Sequence, residues 1–85
     1  MKRIFIVDDH PMVVEGMKAM LQQLPETEVC GHAASASSCL AFFLRNEADI
    51  VLLDINLPDQ SGIEVCRILR KKYPSLKIIA LTNFD

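Results

Sequence analysis

Hydrophobic residues along this chain follow two alternating rhythms. Four short runs are nearly unbroken: Ile4 to Val7, a stretch around Val29 to Ala33, Ile50 to Leu53, and Ile78 to Leu81 after Lys77. Unbroken runs of this length predict short strands buried on both faces. Between them the apolar positions recur at helical spacing. The first such segment carries Val13, Val14, Met17, Met20, Leu21 and Leu24 on one broad stripe, with Pro11 suited to its first turn and Pro25 ending it. The second is expected to begin in the Ser35 to Ser38 cluster and to bury Leu40, Phe43 and Leu44 before Asn46. The third opens on a capping-box pattern, Ser61 with Glu64, continues through Val65, Cys66 and Leu69, and stops at Tyr73-Pro74.

The order β-α-β-α-β-α-β predicts an α/β class: a doubly wound parallel sheet with right-handed crossovers and helices on both faces. A strand, a helix and two connections come to about 25 residues, so three such units and a last strand come to about 80. The 85 residues are thus used up by the fourth strand, and the fold is expected to be truncated after it. An apolar strand left at an edge exposes backbone donors and acceptors. Self-association through the fourth-strand edge is the expected consequence.

Composition narrows the class. With 51% hydrophobic and 24% charged residues the chain reads as one globular domain. A net charge of −2 and a pI near 5.6 provide no basic field for nucleic acid, and the Arg70 to Lys72 cluster is explained by a helix C-terminus. Cys30, Cys39 and Cys66 have no metal-type spacing and read as reduced, cytoplasmic thiols acting as small apolar side chains. The apolar run after Lys2-Arg3 is too short for a secretory signal or a membrane span, so no membrane contact is expected. Met12, Met17 and Met20 read as core filling, His32 as structural, and His10, directly before Pro11, as a loop or helix-cap residue in preference to a metal ligand or phosphate carrier.

The chemistry collects at strand ends. In open α/β sheets ligands bind beyond the carboxyl ends of the strands, near the point where strand order reverses. Here the first strand runs into Asp8-Asp9, the third into Asp54 and the fourth into Thr82. Three carboxylates brought together in a partly buried site must share a proton or a cation, and an all-oxygen set suits Mg²⁺ or Mn²⁺ better than zinc or an EF-hand calcium site. A carboxylate beside such an ion can attack phosphorus in line, and Asp54, alone at the end of a central strand, is the candidate nucleophile.

These residues carry a family resemblance. Val7-Asp8-Asp9-His10-Pro11, Leu53-Asp54-Ile55-Asn56-Leu57-Pro58 with Ser61-Gly62, and Ala80-Leu81-Thr82 together resemble the receiver domain of bacterial two-component response regulators, in the branch that precedes a LuxR/NarL-type helix-turn-helix. The resemblance implies a flavodoxin/CheY-like fold over residues 1–85, lacking the fifth strand and last helices, and a phosphoacceptor signalling domain rather than an enzyme. Asp54 would accept a phosphoryl group from a sensor histidine kinase. Asp9 and Asp54 would ligate Mg²⁺, Asp8 would hold a metal-bound water, and the Asn56 backbone carbonyl would be a further ligand. Thr82 matches the switch hydroxyl, and Pro58 and Gly62 shape the loop. DNA would be reached only through an output domain outside these residues. Receivers also carry a lysine after a fifth strand and an aromatic switch residue on it, and neither is found here. Two other readings are a receiver-fold interaction module without phosphotransfer and an aspartate-nucleophile phosphatase. The phosphatase expects a second acid two residues after the nucleophile, where this chain has Asn56.

Overall fold

The computed structural model describes residues 1–81 and joins the four apolar runs into one parallel sheet. Its strands are β1 (Lys2–Val7), β2 (Thr27–Ala33), β3 (Ile50–Asp54) and β4 (Lys77–Leu81), connected by α1 (Pro11–Leu21), α2 (Ala36–Arg45) and α3 (Gly62–Lys72). The sheet order is β2-β1-β3-β4. The chain steps from β1 to β2 on one side and then crosses to β3 on the other, so strand order reverses between β1 and β3. That is the doubly wound pattern, and it opens a crevice at the carboxyl ends of those two strands.

Alternation along the strands decides which face each side chain takes. Phe5 and Val7 of β1 and Val51 and Leu53 of β3 bury against Ala36, Cys39 and Phe43 of α2 and Val65 and Leu69 of α3, each at most 6% exposed. The Phe5 ring stacks on Phe42 with centroids 3.9 Å apart and meets Phe43 edge-on at 5.6 Å, geometries that add to simple burial. Gly31 leaves room for the stack, since a Cβ there would stand 3.2 Å from the Phe5 ring and press it by a few tenths of an ångström. Across from it the ladder slips by one residue between Ile4 and Phe5, which leaves Cys30 as the extra residue of β2. Ile4 and Ile6 point to the opposite face, where Val14 is the one fully buried residue of α1.

Several expectations need correction. The strands begin in polar residues, at Lys2 and Thr27, because backbone pairing runs past the apolar run: Lys2 pairs with Thr27 and Arg3 with Glu28. Helix α1 ends at Leu21, with Gln22 as its cap, rather than at Pro25, and Glu26 then turns the chain into β2 with a positive φ of 62°. Its stripe is buried less than the spacing predicts, with Val13 40%, Met20 70%, and Leu24, beyond the helix, 52% exposed. Met12 is exposed as well, so of the three methionines read as core only Met17 is half-buried. In α2 the inward positions are Ala36, Cys39 and Phe43, and Leu44 stands 74% exposed because it lies one residue off that face. Cys39 is buried, whereas Cys30 and Cys66 are only partly so, and His32 is exposed within β2.

The α3 cap is also simpler than a capping box. The Ser61 hydroxyl accepts from the Ile63 N–H at 3.1 Å, while Glu64 pairs with Arg67 at 2.9 Å instead of reaching back. Strand β4 is an edge of the sheet among the described residues, with Ile79 44% exposed. No helix among those residues is long and apolar enough to cross a membrane.

Candidate metal centre

Register places the acidic residues before any side chain is considered. Strands β1 and β3 pair with Val7 opposite Leu53, so the next residues, Asp8 and Asp54, leave the sheet side by side. Both are nearly inaccessible, at 4% and 1% exposure. The Asp8 N–H still pairs with the Ala33 carbonyl at 3.0 Å, which prolongs the β1–β2 ladder by one residue and fixes where that side chain departs. Asp9, the next residue, is more open to solvent.

The loop after β3 is tied down equally closely. The Ile55 N–H donates to Leu81 O at 3.3 Å and the Gly62 N–H to Ile55 O at 2.7 Å. Gly62 packs so tightly that a Cβ there would collide with the Asp54 carbonyl oxygen and the Ile55 Cα. Asp59, further round the same loop, accepts from the Ala36 N–H at 2.8 Å and the Ser37 N–H at 3.0 Å, and those two hydrogen bonds hold its carboxyl below the usual carboxylate range. The loop is thereby anchored at α2 as well as at α3.

One oxygen of Asp54 is satisfied and the other is not. Oδ1 accepts from the Asn56 N–H at 3.0 Å. Oδ2 is buried and has no hydrogen-bond partner among the described residues. A buried acceptor without a donor costs about 1–3 kcal/mol, more when charged, so such a group signals a site held open for a ligand rather than for stability. Asp8, Asp9 and Asp54 each bring an oxygen into one group, with all ligand atoms within 4.8 Å of one another. An oxygen-rich cluster of this span fits a hard divalent cation of the Mg²⁺ kind, which binds through one or two carboxylates and keeps several waters.

The fourth member of that group is His10, which the sequence reading placed in the loop or at the helix cap. It is the N-cap residue of α1, yet its side chain caps nothing. Its Nδ1 lies 2.6 Å from Asp8 Oδ1, 3.2 Å from Asp9 Oδ1 and 3.8 Å from Asp54 Oδ2. The hydrogen bond to Asp8, then the charge of Asp9, raise the imidazole above its ordinary pKa. The signal was in the sequence as three consecutive residues, Asp8-Asp9-His10, followed by a proline that forces the preceding backbone to be extended. Of the other expected site residues, Asn56 is joined to Asp54 through its N–H, and Thr82 lies outside the described residues.

Two buried acids at a strand-order switch, with a third beside them and a loop pinned on both sides, define a class of α/β domain with an acidic pocket at the carboxyl edge of its sheet. The chain belongs to the response regulator receiver domain family, whose model matches residues 4–85. It is 38% identical over 84 residues to the DNA-binding transcriptional activator DevR/DosR of Mycobacterium tuberculosis, covering 99% of this chain and 39% of that protein. It is 34% identical over 83 residues to the nitrate/nitrite response regulator NarP of Escherichia coli, covering 98% of this chain and 39% of that one. Among solved structures, a LuxR-family response regulator from Aurantimonas matches with a TM-score of 0.90 at 33% identity, over 99% of this chain and 60% of the other. RcsB from Salmonella typhimurium matches with a TM-score of 0.93 at 26% identity, over 99% and 44%. The chain therefore spans about two fifths of the length of those two curated relatives, 39% in each case.

Proposed function

We propose that this domain takes a phosphoryl group from a sensor histidine kinase onto Asp54 and passes the signal to a DNA-binding output domain outside these residues. The observation that carries the reading is Asp54 Oδ2, which is buried and unpartnered among the described residues, in a carboxylate that joins Asp8 and Asp9 in one group. In this reading Asp9 and Asp54 hold Mg²⁺ through their side chains, Asp8 holds a metal-bound water, and the Asn56 carbonyl adds a ligand. Bound there, Mg²⁺ supplies positive charge that offsets the carboxylates and the phosphoryl oxygens.

The chain's own residues do the rest. The Asn56 N–H fixes Oδ1, so Oδ2 is the oxygen with a free lone pair to offer phosphorus. A bond from Oδ2 to phosphorus forms as the phosphorus–nitrogen bond of the kinase phosphohistidine breaks. The departing imidazole nitrogen keeps the electron pair and takes up a proton, leaving an acyl phosphate on Asp54. Thr82, beyond the described residues, is assigned the hydroxyl that would meet the phosphoryl group.

Support for the link to DNA comes from a structural neighbour, RcsB from Salmonella enterica, described as bound to a promoter in the presence of the phosphomimetic BeF3⁻. The domain is read as cytoplasmic and without membrane contact. The β4 edge is read as a self-association surface, which sedimentation would show as a concentration-dependent shift in mass.

The direct test is incubation with a small phosphoramidate donor and Mg²⁺, followed by intact mass and peptide mapping. One phosphoryl group per chain on Asp54, absent without Mg²⁺ and in Asp54→Asn, is expected. A label on His10, or none on a folded chain, would overturn the assignment.

A further inference from the structure

Every receiver-type reading of this site counts oxygen donors, but the structure places a nitrogen in the middle of them. We propose that His10 Nδ1 is a fourth protein ligand of the cation site, which gives this domain a preference for nitrogen-favouring divalent transition metals over Mg²⁺. This rests on the metal-site reading above and sharpens which ion the site takes.

The backbone directs the imidazole. A residue before proline is confined to extended conformations, and His10 has φ −102° and ψ 104°. Its own N–H donates to Asp8 Oδ1 at 2.8 Å, which fixes the residue against the acid it follows. With the main chain held at both ends, the ring is carried over the crevice and not out along α1. The side chain is 49% exposed, so neither core packing nor a helix cap accounts for its position.

Distances support ligation. An octahedron with metal–ligand bonds of about 2.1 Å sets neighbouring ligand atoms about 3.0 Å apart. Nδ1 stands 3.2 and 3.8 Å from oxygens of Asp9 and Asp54, the two carboxylates read as ligands, at and somewhat beyond that edge, and its 2.6 Å hydrogen bond to Asp8 Oδ1 is the contact a bound cation would replace. An independent sign that this space is built for a ligand is Asp54 Oδ2, buried, unpartnered among the described residues and facing it. Oxygen-only sites suit Mg²⁺, whereas an imidazole donor moves preference along the order Mn²⁺ < Co²⁺ < Ni²⁺. Mg²⁺ can still bind through the carboxylates alone, so both ions have a place and the ratio between them reports on His10.

The experiment measures Mg²⁺ and Ni²⁺ affinities by calorimetry for the unmutated chain, His10→Ala and Asp54→Asn. It adds the electron-spin-echo spectrum of bound Mn²⁺, where a coordinated imidazole nitrogen appears as a modulation. His10→Ala is expected to lower the Ni²⁺/Mg²⁺ affinity ratio by on the order of tenfold or more, the scale on which even outer-shell partners tune a metal site. The nitrogen modulation is expected to vanish with it while Mg²⁺ still binds. An unchanged ratio, or no nitrogen modulation in the unmutated chain, with Mg²⁺ binding intact, overturns the role of His10 and leaves the carboxylate site standing. No binding of either ion by the folded, unmutated chain overturns both.

Discussion

The two edges of the sheet both carry carboxylates, and they treat them in opposite ways. At the amino edge Asp49 accepts the Arg3 N–H at 2.7 Å, the Arg3 guanidinium donates to Glu47 O at 3.1 Å, and Arg3 also meets Glu28 at 3.5 Å. A concavity of about 940 Å³ opens there beside Phe43, Lys72 and Tyr73, but Asp49, one of the two acids at its rim, already has a partner. At the carboxyl edge three acids converge, one oxygen of Asp54 is buried with no donor among the described residues, and the imidazole of His10 stands among them. Size of concavity is thus a poor guide to function in this fold. Unsatisfied charge is the better one, because a fold that keeps it at a cost in stability keeps it for a ligand.

That contrast can be broken first at the glycine that seats the β3–α3 loop. Gly62→Ala must push backbone away from Asp54 and is expected to cost about 1–3 kcal/mol in urea unfolding, with Mg²⁺ affinity falling as well. An alanine tolerated at no cost would mean that the loop is looser than the acidic site requires.

Next, one acid at each edge should respond with opposite sign. Asp54→Asn removes a buried charge and is expected to stabilise the metal-free domain by about 1–3 kcal/mol, whereas Asp49→Ala removes a satisfied acceptor and is expected to cost about 0.5–1.5 kcal/mol. Chemical unfolding of the two variants side by side reads both. Matching signs would erase the distinction between the edges.

The smallest effect concerns Asp59, which ties the site loop to α2. Its carboxyl is held below its ordinary range when folded, so its contribution is present above the unfolded value of about 3.9 and is lost as pH falls through the lower folded value. Asp59→Asn should therefore narrow the stability difference between pH 5 and pH 3 relative to the unmutated chain. An identical acid profile would remove Asp59 from the account.

Much of this was legible in residue order. Four apolar runs interleaved with helical spacing led directly to the parallel sheet, and Asp8-Asp9 and Asp54 could be placed at one edge because each group follows immediately on such a run. Helix α1 was less legible, since its apolar stripe is long but only Val14 is fully buried and the spacing alone does not say how much of it finds a partner. The turn at Glu26 gave no warning, because a positive φ normally announces itself by glycine or asparagine. His10 was placed correctly at the start of α1, but where its ring points was not legible. Its position before proline fixed the backbone correctly, but only the register of β1 against β3 shows that this backbone aims the ring at three acids.

The central claim is that the carboxyl edge is an acidic cation site organised around Asp54. Urea unfolding with and without Mg²⁺, on the unmutated chain and on Asp54→Asn, tests it most directly. At ten times the dissociation constant Mg²⁺ should add about 1.4 kcal/mol to the unmutated chain and nearly nothing to Asp54→Asn, even though the variant starts out more stable. An equal gain in both, or no gain in either, would contradict the account.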